Sequence, residues 1–193
     1  MYDIIADKKE LIKICKQQHI KPLIIGEDVE LVTKENTQSN ALITIATTAK
    51  RTVLESNIDA VTNIEDSKKN DFMHHKAAGL DQVTAKILAK RNNALIINLQ
   101  AYFKAEDKTT HIGRVLQNIR IADKKGAPII FASFAHKTEQ QPTIHDLHAF
   151  WNAMGVKEEI TKKSQTHLQE LIKRGEKRAS KNYVAEGITT SQE

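Results

Sequence analysis

The sequence predicts an α/β fold with a parallel sheet. Short apolar segments of the kind buried in parallel strands alternate with amphipathic helical segments along most of the chain. Six or seven strand segments can be counted, most of them bounded by glycine, proline or polar turns. No Pro/Gly/Ser-rich linker, internal repeat or low-complexity block separates them. The 193 residues therefore read as one domain, 1–182, followed by a disordered tail, 183–193. This rhythm suits a closed β/α barrel, small and incomplete, or an open doubly wound sheet.

Tyr2 to Ile5 is a first strand. Asp7 is placed to cap the next helix, whose apolar positions are Leu11, Ile12, Ile14 and Cys15. Pro22-Leu23-Ile24-Ile25-Gly26 reads as a buried strand entered through proline and left through glycine. Glu30 to Thr33 is a weak strand and Ala41 to Ala46 a strong one. Residues 47–57 read as helix with Val53 and Leu54 inward, and Ile58 to Thr62 as a short strand. A polar loop over 63–76 carries His74, His75 and Lys76. The helix over 79–91 should bury Leu80, Val83, Thr84, Ile87 and Leu88, with Lys86, Lys90 and Arg91 off that stripe. The strand over 94–100 and a polar connection over 101–110 follow. Helix 111–125 should bury Ile112, Val115, Leu116 and Ile119, with Arg114, Asn118, Ile121 and Lys125 on a flanking stripe. Gly126-Ala127-Pro128 ends it ahead of the strand Ile129 to Ser133. His136 and Lys137 open a polar loop. A helix with His145, His148 and Trp151 runs to Gly155, and a long charged helix covers 157–178.

The net charge of +5 is unevenly spread. Residues 68–125 carry twelve Lys/Arg against five acids, and residues 157–181 carry eight against four. Residues 1–50 balance to zero. Basic excess in two blocks points to a polyanionic partner or to a solvated lysine-rich surface. Aromatic residues make up only 5% of the chain, so a nucleic-acid partner would be read through shape and phosphates rather than stacked bases. No apolar run approaches the roughly 18 residues that a membrane helix needs. The N-terminus has no signal-peptide pattern, so a cytoplasmic protein is expected. Cys15 is the single cysteine and reads as a core thiol, which excludes an intrachain disulfide and a cysteine-rich zinc site.

The common nucleotide-binding glycine motifs and the Gly-x-Ser-x-Gly elbow are missing from the sequence. Histidine is the remaining source of site chemistry. His74 and His75 are adjacent, so their side chains diverge. His145 and His148 share a helix face, a spacing that two metal ligands can use. A small metallophosphoesterase using His74, His136, His145 and His148 is therefore an alternative function, and a basic scaffold without RNA is another.

Five segments together resemble the archaeal ribonuclease P protein component three, whose nuclear counterpart is the thirty-kilodalton ribonuclease P and MRP subunit. They are Val53 to Val61, Asp71 to Ala89, Arg114 to Lys124, Ala127 to His136, and His145 to Gly155. Their order and spacing are those of the family from about 53 to 156. Lys76 and Asp81 stand where the family has arginine and asparagine, and Phe134 stands where it has glycine. The resemblance implies a TIM-like β/α barrel with an incomplete or irregular strand set. It also implies a protein subunit of the ribonucleoprotein that removes the 5′ leader of precursor tRNA. In that particle the RNA is the catalyst, and magnesium acts through the RNA, with no cofactor on this chain. The partners implied are ribonuclease P RNA and the component-two protein, as a heterodimer or heterotetramer, with precursor tRNA met indirectly. On this reading the RNA-binding residues are Lys76, Lys86, Lys90, Arg91, Arg114, Arg120, Lys124, His136 and Lys137, and no residue is catalytic or metal-binding. The fold family also includes metal-dependent phosphoesterases with an N-terminal His-x-His, which this chain lacks.

Overall fold

A computed structural model describes residues 1–34, 41–65, 71 and 76–180, and the backbone of 183–185 and 188–189. Seven strands lie side by side in chain order, every neighbouring pair parallel. They are β1 (Tyr2–Ala6), β2 (Lys21–Ile25), β3 (Val29–Val32), β4 (Ile43–Ala46), β5 (Ala60–Thr62), β6 (Ala94–Asn98) and β7 (Ile129–Ala132). Beyond β7 the chain crosses to β1. Ile5 bridges Ala135, and the Phe134 and Ala6 N–H groups donate to the carbonyls of Ile4 and Ala135 at 2.9 Å. The sheet is thus a nearly closed barrel, the TIM-like alternative with an irregular strand set.

Alternation along the strands divides the core in two. Ile4, Leu23, Ile43, Ile45, Ala60, Ile96, Ile130 and Ala132 belong to one cluster, the barrel interior. Val61, Leu95, Ile97, Ile129 and Phe131 pack outward against the helices. Those helices are α1 (Lys9–Gln17), α2 (Arg51–Leu54), α3 (Gln82–Arg91), α4 (Leu99–Lys104), α5 (Lys108–Lys125), α6 (Ile144–Ala153) and α7 (Glu158–Ala179).

The last helix takes the place of an eighth strand. Between β7 and β1 the strand edges diverge, and side chains of α7 meet both. The Phe131 N–H donates to Ser164 Oγ at 2.9 Å, and His167 Nδ1 lies 3.1 Å from the Ile129 carbonyl. Gln165 accepts from the Tyr2 N–H at 2.8 Å and donates to its carbonyl at 3.0 Å. These bonds satisfy backbone groups that an eighth strand would otherwise pair. The helix then runs beneath the strand starts and inserts Leu168, Leu171 and Ile172 into the interior cluster. At Gly175 it comes so close that an added Cβ would sit 2.0 Å from the Leu42 carbonyl oxygen. Arg178 holds buried Asp59, just ahead of β5, through two 2.7 Å bonds. The upper part of the seam is closed by Asp3, which accepts from the Ser133 N–H and from Gln141 at 2.8 Å. Burial pushes the Asp3 carboxyl above its usual range despite these donors.

Several expectations shift. Asp7 does not cap α1; Lys8 occupies the N-cap and supplies no side-chain acceptor. The helix expected over 47–57 is the single turn Arg51–Leu54. The strand expected to reach residue 100 stops at Asn98, whose side chain accepts from the Ala101 N–H and starts α4 inside the supposed polar connection. Leu80, Thr84 and Leu88 are buried as expected, but Val83 is 57% exposed and Ala85 is buried in addition. The expected disordered tail falls mostly outside the described residues; within it, Tyr183–Ala185 and Ile188–Thr189 pair antiparallel.

Candidate nucleic-acid interface

Two neighbouring helices on the barrel wall, α3 and α5, carry most of the candidate cations. Each is started by an aspartate. Asp81 accepts from the N–H groups of Val83 and Thr84 at 2.8 and 2.7 Å, and the Thr84 hydroxyl receives the Asp81 N–H, which makes a capping box. The Thr84 N–H, followed by its hydroxyl, holds the Asp81 carboxyl below the ordinary range. Asp107 caps α5 through Thr109 and Thr110. Left-handed residues end both helices: Asn92 with φ 53° for α3 and Gly126 with φ 74° for α5.

The chain entering α3 is clamped onto α5. Asn118 is fully buried; it donates to the Ala78 carbonyl at 2.7 Å and accepts from the Leu80 N–H at 3.2 Å. Gln117 accepts from the Lys76 N–H and donates to the Lys76 carbonyl. Gly79 has φ +91°, and an added Cβ would meet the Ile64 carbonyl oxygen at 2.1 Å. Glycine is required there for both conformation and space.

Arg114 belongs to this clamp. Its side chain is 11% exposed, its Nε donates to Asp71 at 2.9 Å, and its Nη1 donates to the Glu65 carbonyl at 3.2 Å. Burial alone would raise the Asp71 carboxyl, but the Ala77 N–H, the Arg114 guanidinium and Lys76 together hold it below its ordinary range. The guanidinium expected to face a phosphate is thus already held by internal acceptors. Lys76 is exposed but partly engaged: its ammonium lies over Gly113 and 3.8 Å from Asp71, with the side chain 45% exposed.

Lys86 and Lys90 on α3, and Arg120 and Lys124 on α5, are all exposed. Each pair has i, i+4 spacing, which aligns it along one helix face. Among the described residues none of the four is in a salt bridge of the molecule. Arg91, also exposed, turns its guanidinium to the Ser56 carbonyl at 3.0 Å.

His136 and Lys137 are not part of this wall. They follow the C-terminal end of β7, where the Gln140 side chain accepts from both of their N–H groups. Partial burial, then the nearby charges of Lys104 and Lys8, holds the His136 imidazole below its ordinary pKa. This second basic group thus includes Lys8, which lies outside both basic blocks, and Lys104, which lies in the 68–125 block but was not among the candidate contacts. Their positions beyond β1 and α4 were the available signal.

Among the remaining histidines, His145 is exposed on α6, and His148 is half-buried with its pKa depressed by burial. His74 and His75 lie outside the described residues. Among the described residues no three His, Cys, Asp or Glu side chains approach as metal ligands. No described helix is long and apolar enough to cross a membrane.

The sequence matches no protein-family model and no curated protein. Among solved structures, the chain is similar to one in the cryo-EM structure of archaeal ribonuclease P with mature tRNA. The TM-score is 0.77 at 15% identity, and the match covers 100% of this chain and 99% of the other. At that identity the likeness establishes the fold.

Proposed function

We propose that this chain is a protein subunit of ribonuclease P, in the place of component three. The observation that carries this reading is the full-length likeness in fold to a chain of an archaeal ribonuclease P particle. The five segments that keep the family's order from about 53 to 156 support it independently.

In this reading the RNA performs the magnesium-assisted hydrolysis that frees the 5′ end of the tRNA. The chain itself binds no cofactor. Its task is to hold the RNA in the active fold, alone or with the component-two subunit in a heterodimer or heterotetramer. Lys86, Lys90, Arg120 and Lys124 are suited to that task because they are exposed and, among the described residues, not engaged in salt bridges. Lys76, Arg91, His136 and Lys137 are accessible enough to add contacts. Arg114 acts indirectly, by fixing the loop that carries Lys76. Each phosphate neutralised releases condensed counterions, so affinity falls steeply with salt.

Recovery of the full chain from its own cells, with sequencing of the copurifying RNA, tests this. The expected result is one dominant structured RNA, in a particle that trims precursor tRNA at the 5′ side. Recovery without RNA, or a particle that leaves the leader in place, refutes it. The metallophosphoesterase alternative gains no specific observation from the arrangement of His136, His145 and His148.

A further inference from the structure

A groove of about 460 Å³ opens between α4, the turn Thr138–Gln140 and the start of α6. Leu99, Phe103, Pro142, Leu147 and Phe150 supply its apolar lining. Phe103 is 51% exposed, an unusual state for so large an apolar ring. It is also firmly backed. Its ring centroid lies 5.9 Å from that of Phe150, Phe150 lies 5.2 Å from Trp151, and Trp151 lies 5.6 Å from buried Phe131 of β7. An aromatic chain thus runs from the barrel wall to the surface, so little side-chain freedom remains to be lost on binding.

The groove also carries two carboxylates, Glu139 and Asp146. Both are exposed, and each accepts a hydrogen bond from a neighbouring threonine hydroxyl, Thr138 at 2.9 Å and Thr143 at 2.7 Å. Among the described residues neither is in a salt bridge, although the Glu139 carboxyl is held below its ordinary range by its backbone and Thr138 hydrogen bonds and by the nearby charge of Lys137. A chain of net charge +5 therefore presents an apolar groove edged with negative charge. Carboxylates lining the groove disfavour a nucleic-acid backbone and favour lysine or arginine.

We infer that this groove docks a partner protein, through a segment with bulky apolar anchors flanked by lysine or arginine. The inference rests on the ribonuclease P reading to the extent that the partner is another protein subunit of that particle. The apolar anchors fill the space against Phe103 and Phe150, and the basic flank pairs with Glu139 and Asp146. An aromatic anchor fixed from behind and ringed by polar groups is the usual make-up of a binding hot spot.

The test places a photoreactive benzoylphenylalanine at position 103 of the full chain, assembled in its native particle. The expected crosslink is to a protein segment with apolar residues beside lysine or arginine. Crosslinking to RNA, to a second copy of this chain, to a segment without basic residues, or to nothing overturns the inference. In reassembly with the crosslinked subunit, Phe103→Asp should weaken association about thirtyfold. The pair Glu139→Lys and Asp146→Lys should weaken it about tenfold at low salt, with recovery when the partner's basic residues are changed to glutamate. Urea midpoints of these variants should stay within about 0.5 M of the parent's, a loss too small to unfold the chain, which separates lost docking from lost folding. An active particle that crosslinks to RNA sinks only the docking inference. A protein crosslink in a particle without leader-trimming activity sinks only the ribonuclease P reading.

Discussion

Replacing Asn118 tests the clamp that fixes the loop before α3. Asn118→Leu keeps a side chain of similar size and removes both polar atoms. The Ala78 carbonyl and Leu80 N–H, now bonded at 2.7 and 3.2 Å, would be left without partners in a buried setting. An orphaned buried donor or acceptor costs about 1–3 kcal/mol. The 3.2 Å bond is the weaker one, and the loop can lift to admit water, so the combined loss should be about 2–3 kcal/mol. With a urea dependence of about 2 kcal/mol per molar, the midpoint should fall by about 1–1.5 M at unchanged slope. The melting temperature should fall by about 5–10 °C. Asn118→Asp retains the acceptor for Leu80 and loses the donor to Ala78, so it should fall between the parent and the leucine variant. A leucine variant that unfolds within about 0.25 M of the parent would refute the clamp.

Arg178→Ala should destabilise the barrel by about 2–3 kcal/mol, below the full cost of breaking a buried pair, because Arg178 is a third exposed and Arg174 stays 3.4 Å from Asp59. A double-mutant cycle with Asp59→Ala in urea checks it, and additive effects would contradict the pairing. Gly79→Ala should cost more than the roughly 1 kcal/mol of a strained turn, because the new methyl also meets the Ile64 carbonyl; loss of soluble, cooperatively unfolding protein is the readout. The Asp81 and Asp107 carboxyls titrate below their ordinary value of 3.8 in the folded chain, so their contribution is present above that pH and disappears as pH falls through the lower folded values. Asp81→Ser should keep the cap yet flatten the fall of the urea midpoint below about pH 4. Changing Lys86, Lys90, Arg120 and Lys124 together to alanine should leave the midpoint unchanged. It should reduce the slope of log affinity for RNA against log salt by about 0.7–0.9 for each phosphate no longer neutralised.

The strands were the most legible part of the fold. Pro22 to Gly26, Ala41 to Ala46 and Ile129 to Ser133 are short apolar runs with turn residues at their ends, and each lies on an observed strand. Closure was less legible, because Ser164, Gln165 and His167 are ordinary polar residues on a charged helix. Only their tertiary hydrogen bonds show that they finish a sheet. Val83 misled because apolar spacing alone cannot say where a helix stripe ends. The burial of Arg114 was not legible for a related reason: charge counts treat every cation as solvated, and its partners Asp71 and Glu65 lie more than forty residues away in sequence. Lys86, Lys90 and Arg91 were read from helical spacing as lying off the buried stripe, and the structure places all three at the exposed surface.

The way α7 completes the barrel sets an order on synthesis. Tyr2 meets Gln165, a partner 163 residues further along the chain. At about 5–20 residues per second, the first strand waits roughly 8–30 s for the helix that satisfies its edge. Through that interval the free edge of β1, and for its last part that of β7 (Ile129–Ala132), is open to strands of other chains. Slower translation lengthens that exposure, so it should raise the share of this chain lost to aggregation.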